Sequence, residues 1–372
     1  MTSNNPLQDS FYRTVENELW SLYKYFPADS INLFDDMACA AFIRDSIKKR
    51  TPADRDSIQV DIDNISKRVH ILREYRKQLQ VLLDTPQVAQ RSPEWYDLRK
   101  ERLTASATAQ AIGKGKFGNR KQLLQSKAFP ENDKWAPQTT GPMYHGTMLE
   151  AMTSRCYSQR NNDMRIYDFG MIKHPGLSCF GASPDGISEM GIMIEIKTPY
   201  RRAVDGNIPE EYMLQMQGQM AACGFLECEF VDCKIDIIQS ENAYIEGTLW
   251  NGKVDHGIIV EHRDERGNPT FEYSPEYLSS NECIEWKNKY VKNNKCTKFT
   301  YWKLYKLIAT RVYFDEKLWN DLVPQIEEFW KDVLALRANP SIANTTAPKK
   351  RGAGADSPKK TRTFDFIDSD ED

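Results

Sequence analysis

The sequence predicts an α/β protein, preceded by a helical region. Three observations support this fold class. Apolar residues recur at helical spacing through residues 6–84. Short apolar runs between residues 165 and 239 surround one helical stretch, in the order strands, helix, strand. The last of the early runs, Met193-Ile194-Glu195-Ile196-Lys197, places two charges in an otherwise apolar strand.

We expect three regions along the chain. Residues 1–90 form a helical accessory domain, whose role as a brace or as a binding surface for DNA or a partner stays open. Residues 91–338 form the α/β domain, with an insertion within about residues 240–300. Residues 339–372 are poor in apolar residues and rich in Pro, Ser, Lys and Asp, which predicts a disordered tail.

The elements of the α/β domain follow from caps and periodicity. Ser92 is a good N-cap and Pro93 suits the first helical position, which predicts a helix to about Arg102. Thr104 or Ser106 is expected to cap a second helix. A helix over 147–159 would hold Glu150 in its first turn. Next we expect strands at 165–174, 179–182, 187–188 and 192–197, a helix at 210–223, and a strand at 229–239.

Caps and apolar periodicity also predict the elements of the C-terminal part of the domain. We expect a strand at 257–262, a turn at 265–269 and a strand at 305–314. Asp315 should cap a final amphipathic helix that ends near Leu336.

Composition excludes some classes of protein and favours others. The 372 residues are 40% hydrophobic, with no apolar run near the length of a membrane span and no secretory signal pattern, so we expect a protein that is not secreted. The eight cysteines lack zinc-site spacing and are expected to be reduced thiols. The net charge is −3, so nucleic acid would have to bind a local basic cluster, such as the one between Arg99 and Lys121.

The strand at 192–197 carries the candidate site. Strand side chains alternate between faces, so Glu195 and Lys197 point the same way. A hairpin from Gly186 to Gly191 can bring Asp185 back beside Glu195. Two carboxylates and one ammonium at this place suit Mg²⁺ or Mn²⁺ and a phosphate substrate.

Five motifs in order give a family resemblance over roughly residues 91–336. They are Trp95-x3-Arg99 with Leu103-Thr104-Ala105-Ser106, Gly146-x3-Glu150, Ser183-Pro184-Asp185-Gly186, Glu195-Ile196-Lys197, and Tyr212-x2-Gln215-x-Gln217. The set resembles the phage-lambda-exonuclease/YqaJ-like viral recombinase family of the PD-(D/E)xK nuclease superfamily. The resemblance implies a restriction-endonuclease-like core, in which a mixed central sheet is flanked by helices. It also implies a metal-dependent DNA exonuclease running 5′ to 3′ on duplex ends, in viral-type recombination, repair or replication.

The resemblance also implies roles for individual residues. Asp185, Glu195 and the backbone carbonyl of Ile196 would hold Mg²⁺, for which Mn²⁺ can substitute, and Glu150 would complete the acidic cluster through a second ion. Lys197 would position and activate the attacking water, and Gln215 would orient the site. Arg99 and Ser106, assisted by Arg102, would bind the 5′-terminal phosphate.

Two alternatives remain at this stage. One is a structure-specific endonuclease on the same core, and the other is a non-catalytic DNA- or protein-binding module. The expected partners are double-stranded DNA with free ends and a single-strand annealing or single-strand-binding protein, with no membrane and with the oligomeric state left open. Basic clusters at 349–351 and 359–362 resemble a bipartite nuclear-localisation signal, which predicts a nuclear or cytoplasmic replication site in a eukaryotic host cell. Ser369 before three acids resembles an acidophilic kinase site.

Overall fold

The structure is a computed structural model. It describes residues 6–25, 35–50, 62–116, 118–132, 140–248, 252–265, 267–294, 296 and 298–340. Of the predicted tail, residues 341–372 lie outside this part of the chain. None of the described helices combines the length and the apolar character that crossing a membrane requires.

The described chain contains helices and strands in the mixed order that the sequence predicts. The helices are α1 Pro6–Tyr25, α2 Asp36–Arg50, α3 Ile62–Asp84, α4 Pro93–Lys100, α5 Thr108–Ala111, α6 Arg120–Ala128, α7 Gly141–Arg160, α8 Glu210–Cys223, α9 Glu241–Gly247, α10 Ser280–Asn293 and α11 Glu316–Ala338. The strands are β1 Leu103–Thr104, β2 Ile166–Tyr167, β3 Ile172–Lys173, β4 Phe180–Ala182, β5 Gly186–Ser188, β6 Met193–Lys197, β7 Glu227–Ile238, β8 His256–Arg263, β9 Pro269–Tyr273 and β10 Lys298–Tyr313.

A seven-stranded sheet forms the centre of the molecule. Its strand order is β2-β5-β6-β7-β10-β8-β9, and only the β6–β7 pair is parallel. Helix α8 makes the crossover between these two parallel strands, as a parallel connection requires. A second sheet has the order β1-β4-β3. A mixed sheet flanked by helices, with helices before it, confirms the predicted fold class.

The N-terminal helices pack on this sheet through their apolar stripes. On α3, the buried residues Ile65, Val69, Leu72, Leu79 and Leu82 repeat at helical spacing, as the sequence predicts. They belong to one hydrophobic cluster with α1, α2, β5, β6, α8 and β7. The division of the chain at residue 90 stays a prediction.

A buried ionic cluster joins these helices to the sheet. Arg311 of β10 bonds Glu16 of α1, and also Glu227 and Glu229 of β7. Arg68 of α3 bonds the same Glu16 and Glu227. All five side chains are buried. Arg13 adds a third guanidinium to the cluster, with its Nη2 2.9 Å from Glu229 Oε2.

Several predicted elements have different bounds. The strand expected at 165–174 is two short strands, β2 and β3, which join different sheets. Helix α4 ends at Lys100 rather than near Arg102. Thr104 precedes a short 3₁₀ turn without a side-chain capping bond, and Ala107, not Ser106, precedes helix α5, so the predicted cap by Thr104 or Ser106 is wrong.

The largest change near the candidate site concerns α7. This helix begins at Gly141, with Pro142 in its first turn, so Glu150 lies in the middle of the helix and not in its first turn.

The predicted insertion contains helix α10, which the sequence analysis does not predict, although Ser279 and Glu282 form a capping box. Strand β10 begins at Lys298 instead of 305.

Candidate active site

The two strands that carry the predicted acids meet as a hairpin. Gly186 pairs with Ile194, and Ile187 pairs with Met193. Asp185 lies just before β5, where its Oδ2 accepts a hydrogen bond from the backbone N–H of Ile196 at 2.7 Å. The short turn after Ser188, with Gly191 at a φ of 75°, allows the chain to reverse direction between β5 and β6.

Glu195 is completely buried and is held by three donors. Gln215 Nε2 donates to Oε1 at 2.7 Å, and Gln219 Nε2 donates to Oε2 at 2.7 Å. The Lys197 ammonium donates to Oε1 as well. Lys197 also lies 4.9 Å from the ring centroid of Tyr212. Strand β6 therefore presents its charged face to helix α8.

The charges at this site strongly influence one another. Burial raises the pKa of Asp185 well above its usual value, and the charges of Glu195 and Glu150 raise it further. Burial acts against the ammonium of Lys197, but Glu195 and Asp185 outweigh burial and raise its pKa. The single positive charge of Lys197 therefore does not fully compensate the neighbouring carboxylates.

Glu150 reaches the same electrostatic environment from helix α7. Its pKa is raised by burial, against the lowering effects of Arg91 and Lys197, and Glu195 and Asp168 add to the rise. Arg91 Nη2 lies 3.0 Å from Glu150 Oε2. Glu150 therefore stands beside the Asp185–Glu195–Lys197 group.

The donor set suits a hard divalent cation. Carboxylate oxygens are the preferred ligands of Mg²⁺, which commonly uses one or two carboxylates and keeps several waters. Asp185 uses only Oδ2 for the Ile196 N–H, and its raised pKa reports unfavourable negative charge that a cation would relieve. Within the described residues, no three His, Cys, Asp or Glu side chains form a ready-made metal cage.

Arg99 lies on helix α4, and within the part of the chain that the structure describes it forms no ion pair with a carboxylate. Its guanidinium stacks on Trp95, 4.3 Å from the ring centroid. Trp95 is buried and donates from Nε1 to the hydroxyl of Ser183 at 3.0 Å, two residues before Asp185. The two carboxylates close to Arg99 in sequence form ion pairs with other residues: Asp97 with Lys100, and Glu101 with Arg337. Burial lowers the pKa of Arg99.

Ser106 and Arg102, the other two residues predicted to bind the 5′-terminal phosphate, contact elements around the site. The exposed Ser106 hydroxyl lies 3.2 Å from that of Thr104, and the adjacent Ala105 packs against Gly218 of α8. Arg102 lies against Gly181 of β4, and its Nη1 makes a long bond to the Leu98 carbonyl.

Sequence reasoning missed two residues at the site. Gln219 holds the second oxygen of Glu195, and its place four residues after Gln215 on the same helix face was the available signal. Arg91 contacts Glu150, but nothing in the sequence indicates that an arginine at this position adopts a left-handed backbone conformation. Gln217 instead bonds the Tyr313 carbonyl and the Asp315 N–H, away from the carboxylates.

Comparison with known proteins agrees with the motifs. The family model for the YqaJ-like viral recombinase domain matches residues 94–225, which is less than half of the chain. The matched span includes Arg99, Glu150, Asp185, Glu195 and Gln219. Residues 94–225 are therefore similar to the YqaJ-like viral recombinase domain, which confirms the resemblance seen in the motifs. This similarity and the acid–acid–lysine site are the two observations from which a function can be proposed.

Its relatives include viral proteins. The uncharacterized protein R354 of Acanthamoeba polyphaga mimivirus is 26% identical over 73% of this chain, and the match spans 57% of R354. A protein of African swine fever virus is 21% identical over 70% of this chain and 90% of its own length. The crystal structure of an alkaline exonuclease from Laribacter hongkongensis is 20% identical, covers 68% of this chain and 98% of that chain, and has a TM-score of 0.43.

Proposed function

We propose that this protein is a Mg²⁺-dependent deoxyribonuclease that shortens duplex DNA from its ends in the 5′-to-3′ direction. The observation that carries the proposal is the meeting of Asp185, Glu195 and Lys197 on two neighbouring strands, with both oxygens of Glu195 oriented by amides of α8. The carboxylate of Glu195 is completely buried, and burial raises the pKa of Asp185 well above its usual value. Such carboxylates beside a lysine are costly to folding, and active sites are where such costs are found.

Each residue has a distinct role in the proposal. Asp185, Glu195 and the Ile196 carbonyl would hold the cation, and Glu150 would serve a second one. A bound divalent cation polarises the phosphate and stabilises the leaving oxygen. Gln215 and Gln219 fix the direction in which the Glu195 oxygens point.

Lys197 is the residue that would handle the attacking water. With its pKa raised by the neighbouring carboxylates, it is an ammonium that donates hydrogen bonds and stabilises developing negative charge. Neutralising Asp185 and Glu195 would lower the pKa of Lys197, because their charges are what raise it. In that state the amine is better suited to accept a proton from water.

Arg99 supports the proposed direction. A half-buried guanidinium that stacks on Trp95 and pairs with neither Asp97 nor Glu101 is available to a phosphate. Ser106 and Arg102 would add donors to the same 5′-terminal phosphate.

The first experiment is digestion of end-labelled linear duplex DNA in Mg²⁺, compared with a covalently closed circle. We expect wild type to degrade only the linear DNA, and Asp185→Ala, Glu195→Gln and Lys197→Ala to lose this activity while remaining folded. Lys77→Ala, at an exposed pair with Glu74, is the control and should be fully active. Cleavage of the circle would favour the structure-specific endonuclease, and undiminished activity of Glu195→Gln would refute the site.

The second experiment tests the 5′-phosphate clamp. A charge-assisted contact from Arg99 predicts about tenfold faster degradation of 5′-phosphorylated than of 5′-hydroxyl ends. Arg99→Ala should remove this preference, while Lys100→Ala, whose ammonium pairs with Asp97, should keep it. If wild type shows no preference, or Arg99→Ala retains it, the clamp is wrong.

The viral relatives suggest a setting for this activity. We propose that the nuclease acts in viral-type DNA recombination, repair or replication, and exposes single strands for an annealing or single-strand-binding protein. The basic clusters at 349–351 and 359–362 suggest work in the nucleus or at a cytoplasmic replication site of a eukaryotic host cell.

A further inference from the structure

Arg91 has an unusual backbone conformation beside the site. Its φ is 66°, in the left-handed region that favours glycine and that arginine rarely adopts. It precedes Ser92, whose hydroxyl caps helix α4 by accepting from the Trp95 N–H. Such conformations persist only where the surroundings enforce them, and they cluster at functional sites.

The residues before Arg91 show what enforces this conformation. We call residues 88–91 the strap. Gln90 Nε2 donates to the carbonyls of Phe169 at 2.8 Å and Pro184 at 3.3 Å. The Val88 carbonyl lies so close to Gly170 that a Cβ there would be 1.8 Å from the oxygen. The strap is therefore fixed against the turn that holds Asp185.

The strap directs the Arg91 side chain to Glu150. The ion pair spans 3.0 Å, and 51% of the Arg91 side chain and 35% of the Glu150 side chain remain exposed. Among the other charges that influence Glu150 are Lys197, Glu195 and Asp168. Arg91 thus supplies positive charge to the outer carboxylate of an acid-rich site.

We propose that Arg91 is a built-in substitute for a divalent cation at Glu150. It holds this carboxylate while no cation is bound there, and it turns outward when a cation takes its place. A half-exposed guanidinium can leave without losing much protein contact, and once released it can bind a DNA phosphate. This inference rests on the proposed function, because it assumes that Glu150 serves a cation.

The proposal has a thermodynamic consequence that does not depend on catalysis. Two positive charges that compete for one carboxylate weaken each other's binding by the same factor. Removing Arg91 should therefore tighten cation binding, by about two- to fivefold for an ion pair of this exposure. Asparagine tolerates a positive φ, so Arg91→Asn removes the charge without adding backbone strain.

The test is calorimetric titration of the full chain with Mn²⁺ in the absence of DNA. We expect Arg91→Asn to bind Mn²⁺ two- to fivefold more tightly than wild type, and Arg91→Lys to lie between them. In a Glu150→Gln background, Arg91→Asn should produce no change, which completes a double-mutant cycle. Arg91→Gly, which suits the same backbone, repeats the test if Arg91→Asn melts early in chelator.

The outcomes separate this inference from the proposed function. Equal Mn²⁺ affinity of wild type and Arg91→Asn would overturn the substitution role alone. Weaker DNA binding by Arg91→Asn with unchanged Mn²⁺ affinity would also overturn it, and would make Arg91 a phosphate contact only. If wild type binds no Mn²⁺, both proposals fail.

Discussion

Glu195 is positioned by a helix as much as by its own strand. Gln215 and Gln219 lie four residues apart on α8, so their amides reach the two carboxylate oxygens from one helix face. Both donors are neutral, so they orient the carboxylate without cancelling the charge that a cation would need. Gln219 is almost wholly buried, which fixes the direction of its amide.

We predict that Gln219→Leu slows hydrolysis about 10- to 100-fold, as expected when a group that orients a ligand is lost. The reason is that Glu195 Oε2 would lose its donor in a buried place. The effect should appear in kcat and in the Mg²⁺ concentration required, which steady-state kinetics on linear duplex would measure.

Gln217→Leu is the matched control on the same helix. Gln217 bonds the backbone around Tyr313 and Asp315, so its loss should lower the melting temperature and leave the Mg²⁺ requirement unchanged. Equal kinetic behaviour of the two variants would contradict a specific role for Gln219.

The sequence was informative about residues whose role depends on strand alternation. Glu195 and Lys197 face one way because of a two-residue period, and Asp185 reaches them because a hairpin connects the strands. It was less informative about Gln219, because three glutamines alternate along α8 and only the spacing from Gln215, which the resemblance had singled out, indicates that Gln219 shares its face. Arg91 depends on strap contacts far away in sequence, so no local pattern could reveal it.

At the level of elements, the buried ionic cluster fixes how α1 and α3 sit on the sheet. Glu16, Glu227 and Glu229 face Arg13, Arg68 and Arg311, so the formal charges balance. A buried balanced cluster adds little net stability over apolar packing, yet removal of one member is costly. The cluster therefore favours this particular docking of the helices.

We predict that Arg311→Met destabilises the protein by about 3–5 kcal/mol, because three buried carboxylates would then share two guanidinium groups. Urea unfolding would measure the change in free energy. Arg44→Met removes a guanidinium from a solvent-exposed pair with Asp45, and should cost no more than about 1 kcal/mol. Similar small losses in both variants would show that the cluster does not hold the helices.

Element prediction succeeded where caps and periodicity agree. Helix α8 has the predicted bounds, and Asp315 caps α11 through the Leu318 N–H. The predicted strand bounds were wrong where pairing with strands distant in sequence determines the bounds. The stretch 165–174 splits because β2 pairs with β5 in one sheet and β3 pairs with β4 in the other. Strand β10 extends to Lys298 because β8 offers a second partner for its first half.

At the scale of the whole molecule, the assigned site residues lie between Arg91 and Gln219, and the last described helix ends at Ala338. We predict that deleting residues 341–372 leaves degradation of linear duplex unchanged and reduces nuclear accumulation of a large fluorescent fusion in eukaryotic cells. Replacing only the two basic clusters by Ala should reproduce the loss of accumulation. Unaltered distribution of both fusions would reject the localisation signal, and reduced digestion would assign the tail a role in catalysis.

The ionic cluster also has a consequence for the order in which the chain can fold during synthesis. Glu16 and its partner Arg311 are separated by 295 residues, so helix α1 emerges from the ribosome long before that partner exists. Until then Glu16 lacks one of its two guanidinium partners, so α1 docks incompletely and part of its apolar side, with Val15 and Leu19, stays exposed. Exposed surfaces of this kind promote aggregation in partly made chains. Productive folding of this protein should therefore occur late in translation, with chaperones shielding the first helices until β10 is complete.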